Sequence, residues 1–115
     1  MSGLSPLASD EDISIVFSAC QQGRALVSRA RCGQTERYLL EVWKTTFARL
    51  QEAVVEHIEA KRRIYRKVGT CGQAVGMEAN VTLYEELNIY VEIQLRGNRI
   101  VILAAHNHYT TPLPQ

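Results

Sequence analysis

The sequence predicts an α+β fold in a single domain (residues 1–115): an antiparallel helical hairpin with a long second helix, followed by a C-terminal two-stranded β-hairpin. Three observations carry this expectation. Residues 35–68 contain no Gly or Pro, and Leu40, Trp43, Phe47, Leu50, Val54 and Ile58 recur there at three- and four-residue steps, the spacing of one helix face. A shorter amphipathic stretch precedes it across Cys32-Gly33-Gln34, and so short a link makes antiparallel neighbours. Ile89, Val91, Ile93 and Leu95 alternate with polar residues, the period of a half-buried strand.

Residues 1–8, with Gly3 and Pro6, read as a loose lead-in. Ser9 is a good N-cap, and Asp10, Glu11 and Asp12 suit the positive end of a helix dipole. The first helix is expected over residues 10–30, apolar on two sides, with Gly23 weakening its middle. Gly33 then supplies a left-handed residue, and Thr35 caps the second helix. Roughly 32 helical residues at about 1.5 Å each would span ~48 Å, more than the roughly 35 Å width of a compact chain this long. Lys61 falls inside the apolar arc, so the last turns read as a projecting end.

Gly69, Gly72 and Gly76 mark a loop to residue 79. Residues 80–87 fit a short helix through a Thr82–Glu85 capping box, although Val81 to Tyr84 also fits a strand. Arg96-Gly97-Asn98-Arg99 is a two-residue hairpin signal. It places Leu95 opposite Ile100, Ile93 opposite Ile102, and Val91 opposite Ala104. Val101 and Leu103 then share the other face with Gln94 and Glu92. Residues 109–115, with Pro112 and Pro114, read as a tail.

Hydrophobic content of 46 % and a formal charge of +1 fit a soluble protein with no global pull toward nucleic acid or membrane. Three cysteines without a CxxC pair, and no signal-peptide pattern, point to an intracellular, cytoplasmic chain with reduced thiols. Lys61, Arg62, Arg63, Arg66 and Lys67 form a basic run that could neutralise phosphates at a helix end. His106 and His108, at i and i+2, could hold a metal if further ligands converge. His57, at the margin of the apolar arc, reads as a satisfied imidazole. Cys32-Gly33-Gln34 and Cys71-Gly72-Gln73 read as turns. No catalytic, cofactor-binding or metal-ligating set is assigned.

The overlong helix, the two-sided first helix and the doubly apolar last strand together suggest a non-enzymatic protein–protein interaction module. It would be an obligate homodimer or a subunit of a larger assembly, with Trp43, Phe47, Leu50, Val54, Val101 and Leu103 at the contact. The alternative is a small nucleic-acid-binding or regulatory protein using residues 61–67. A third reading is a small ligand- or metal-binding domain or enzyme centred near His106 and His108.

Overall fold

Ser9 opens the first helix as its side chain dictates, its hydroxyl accepting the Asp12 N–H at 3.1 Å. The computed structural model describes residues 7–69, 71–72, 74–106 and 113–115. Helix α1 spans Asp10–Gln21 and stops well short of residue 30. Gly23 adopts φ +71° and the Arg24 N–H bonds back to Ala19 O at 2.8 Å, the closing bond of a Schellman turn. The glycine is a terminator here, not a mid-helix weakness. Ala25–Val27 then forms a short strand, β1.

The expected long helix is three pieces. Ala30–Arg37 (α2) becomes regular only after Arg31, Cys32 and Gly33, all left-handed, and continues as a π-helical turn over Tyr38–Val42. Thr35 does not cap it. Its buried hydroxyl accepts the Ala104 N–H at 3.0 Å, extending the edge of the sheet. Lys44 at φ +51° ends this segment, and Thr46 caps α3 (Phe47–Glu59) by accepting from Arg49 N–H at 3.1 Å. An N-cap inside an unbroken apolar stripe is invisible to periodicity. The far end closes at Lys61, left-handed at φ +56°, with Arg62 N–H to His57 O and Lys61 N–H to Ile58 O. Those two bonds define a Schellman motif with Lys where Gly is usual, so the basic run leaves the helix at once.

Tyr65–Val68 (β2), Ala74–Tyr84 (β3), Leu87–Arg96 (β4) and Arg99–Ala105 (β5) follow as strands. The sheet order is β1-β5-β4-β3-β2, antiparallel except for β1, which runs parallel to β5. The fold class is therefore α+β, with three helices and a five-stranded mixed sheet among the described residues. A helical hairpin with a two-stranded β-hairpin is incorrect. Residues 80–87 are not a helix: Val81 and Leu83 alternate with Asn80 and Thr82, and Glu85 at φ +46° turns the chain into β4. Gly76 is required where β3 crosses β4, because a Cβ there would lie 2.7 Å from Ile93 O. The β4–β5 register is the one expected, Leu95 to Ile100, Ile93 to Ile102 and Val91 to Ala104.

Helices α1 and α3 pack together and against one face of the sheet, α3 over β3 and α1 over β5. Met77, Ala79, Val81, Leu83, Ile89, Val91, Ile93, Ile100, Ile102 and Ala104 form that inner face, all buried. Arg24 ties α1 to the β4–β5 turn, donating to Asn98 O and, at 2.8 Å, to Ser18 Oγ. The end of the lead-in is pinned, Leu7 bridging Tyr65 and Ala8 N–H reaching Ile64 O. No helix among the described residues is long and apolar enough to cross a membrane.

Candidate functional site

With α1 and α3 on one side, the residues on the other face of the sheet are decided by the strand alternation. It carries Leu26 on β1, Val101 and Leu103 on β5, Gln94, Glu92 and Tyr90 on β4, Glu78 and Asn80 on β3, and Lys67 on β2. Glu78 and Glu92 are direct cross-strand partners. Like charges so placed repel, and two neighbours offset the repulsion. Lys67 Nζ lies 2.8 Å from Glu92 Oε2, and the Tyr90 hydroxyl donates to Glu78 Oε1 at 3.1 Å. That hydroxyl also sits 3.4 Å from both Lys67 Nζ and Glu92 Oε2. The ion pair is half-buried, with side chains 30 % and 14 % exposed, so water screens it less than a surface pair.

Beyond β1 the chain climbs over this face. Ser28 N–H bonds Ile102 O at 2.9 Å, and Ser28 Oγ accepts the Ala30 N–H at 3.1 Å. Arg31 and Cys32 follow at φ +55° and +57°, a conformation costing L-residues about 1–2 kcal/mol each. The result is a groove of ≈ 570 Å³ between residues 28–31 and strands β4 and β5. Val101 and Leu103 form its apolar floor, and Arg29, Arg31, Lys67 and Arg96 line it with Glu92 as its one acid. Arg96 donates to Gln94 Oε1 at 2.8 Å. Among the described residues the side chains of Arg29 and Arg31 have no hydrogen-bond or ion-pair partner. Four cations, one neutralised carboxylate and an apolar floor make a surface suited to an anionic, partly apolar guest.

The residues singled out from the sequence are dispersed. Trp43, Leu50 and Val54 lie in the chain's own core, and Phe47 packs half-buried against it, so their apolar stripe is consumed within the fold. Val101 and Leu103 are the two that reach the groove. In the basic run, Arg62 donates to Gln115 Oε1 at 2.8 Å, Arg63 is exposed, and Arg66 lines a crevice with Asp12 and Leu95. Lys67 faces the opposite side, so the run is no single patch. The expected projecting helix end for these five is therefore corrected: the helix is over before them. His106 packs tilted against Tyr38 and edge-on against Trp43, ring centroids 4.9 and 5.6 Å away, while His108 lies outside the described residues.

Two titratable groups sit on the helix side. His57 Nε2 donates to Arg63 O at 2.7 Å, whereas Nδ1 is buried without a partner. Burial pushes its pKa below the usual value of 6.5, the nearby Arg62 charge acts the same way, and the Arg63 bond opposes them. Burial likewise raises the Cys20 thiol to about 11, leaving it inert. Cys32 and Cys71 are exposed free thiols. Sequence reasoning missed Arg29, Arg31 and Arg96 as members of a site. The one available cue was Gly23, which, read as a helix terminator, would have released residues 25–31 from the first helix. Comparison with known proteins finds no match, neither a family, nor a curated protein, nor a solved structure significantly similar to this chain.

Proposed function

We propose that the protein is a non-enzymatic interaction module, working as a dimer or as a subunit of a larger assembly, with the outer face of its sheet as the docking surface. One observation carries the reading: α1 and α3 cover one face, and the β1–β5 side of the other presents Leu26, 44 % exposed, beside Val101 and Leu103. Leu26 is the register partner of Val101, so the three form one apolar strip, and water is a poor environment for it. A second copy of the chain is the simplest occupant, since a shared strip can be self-complementary across a two-fold axis. The edge of β1 away from β5 is a further place for such pairing. Phosphate binding by residues 61–67 has less support, because those cations point to different surfaces.

Light scattering at micromolar concentration tests the reading. The wild type is expected to be at least a dimer. Leu103→Asp, which would replace part of the apolar strip with a charged side chain, should release monomers with unchanged circular dichroism. A wild type that is monomeric throughout would remove this function.

A further inference from the structure

We propose that the groove beneath residues 28–31 is a binding site for a small molecule that joins a carboxylate or phosphate group to a short apolar body. The inference rests on the same reading of the outer face as a binding surface, because the groove's apolar floor, Val101 and Leu103, belongs to the strip described above. Size, charge and floor agree. The groove measures ≈ 570 Å³, within the range of small-ligand pockets. Its only acid, Glu92, is held at 2.8 Å by Lys67, so the charge facing the space is the surplus of Arg29, Arg31 and Arg96. Two of those guanidinium groups have no partner among the described residues.

A guanidinium presents parallel N–H donors at the spacing of two oxyanion oxygens. Unpaired forks above an apolar floor of Val101 and Leu103 therefore select for a head that accepts and a body that does not. Nucleic acid fits less well. Among the described residues the lining holds no aromatic side chain on which a base could stack, and its cations surround a patch instead of following a track. Free metal cations are repelled by the same surplus. The left-handed backbone at Arg31 and Cys32 sets the path of the segment that carries Arg29 and Arg31 past the floor.

Octanoate and octyl phosphate are the probes, titrated into the wild-type chain and followed by calorimetry and amide chemical shifts. Acetate and inorganic phosphate test the head alone, and octanol the body alone. At least one amphiphile should saturate at one per chain, roughly tenfold or more tighter than its head or body alone, and the preferred amphiphile identifies the oxyanion. Arg31→Gly and Arg96→Gln should each weaken binding by roughly tenfold or more, the scale of one lost charged hydrogen bond. Arg31→Gly should leave the melting temperature unchanged or raised, because glycine tolerates positive φ. Arg31→Lys, which keeps charge but loses the fork, should fall between. Octanol binding as well as octanoate, or variants binding as the wild type does, would overturn the proposal. So would an oligonucleotide that binds where neither amphiphile does. If the probes fail while Leu103→Asp still dissociates the wild-type oligomer, the groove is a protein contact and only the ligand is wrong. Probe binding by a strictly monomeric chain keeps the ligand site and removes the interaction module.

Discussion

The two faces of the sheet share every backbone hydrogen bond and almost nothing else. On the inner face, ten apolar side chains from β3, β4 and β5 are buried against α1 and α3, and dispersion and the hydrophobic effect fix their positions. On the outer face β2, β3 and β4 hold a lysine, two glutamates and a tyrosine in contact, beside an apolar floor and, among the described residues, unpaired arginines. One face is specified by shape, the other by charge. The first makes the fold, and the second is free to do something else.

Neighbours in β5 break the comparison most directly. Ile102→Ala on the inner face should cost about 2–5 kcal/mol in denaturant unfolding, the range for deleting a fully buried aliphatic side chain. Val101→Ala, one residue away and half-buried on the outer face, should cost under about 1 kcal/mol. Equal losses would mean that the outer face is packed as tightly as the inner.

A smaller effect belongs to the charges. Lys67→Ala leaves Glu92 half-buried and facing Glu78 across the strands, and should cost about 1–2 kcal/mol. Glu92→Gln in that background should recover part of the loss, and added salt should narrow the gap between wild type and Lys67→Ala. A salt-independent gap would point to lost packing of the lysine stem instead.

The smallest effect is on the helix side, where pH is the probe. The folded-state pKa of His57 lies below its ordinary 6.5 because burial disfavours the imidazolium. The unfolded chain then binds more protons in the window between the folded value and 6.5, so stability is full above pH 6.5 and falls as pH drops through that window. Protonation would also add an Nδ1–H with no acceptor near it. His57→Gln should flatten the melting temperature between pH 7 and 5. A wild type with no slope there would show that the ring is hydrated in solution.

What the sequence disclosed follows the same division. The β4–β5 hairpin was legible to the residue, because Gly97 at φ +65° and strict alternation on both sides admit one register. Ser9 was legible for a similar local reason. The second helix was not, because Thr46 caps a new helix without interrupting the apolar spacing, and Lys61 stands where a glycine would have announced the end. Three-residue β1 is too short to carry a period at all. Lys67 was singled out, but as part of a linear run, and its site partners Arg29, Arg31 and Arg96 come to it from distant parts of the chain. Charge clusters assembled by topology leave no mark in spacing.

The parallel pairing of β1 with β5 has a consequence for the order of assembly. Ala25 is matched to Ile100, and Thr35 to the backbone of Ala104, so β1 has no strand to pair with until β5 has formed. Closing so long a loop is slow compared with zipping the β3–β4 and β4–β5 hairpins. As the chain leaves the ribosome, residues 28–31 have no floor to overhang until β5 is complete. The inner face can begin to collapse on α3 earlier, whereas the groove is absent from any chain that lacks β5.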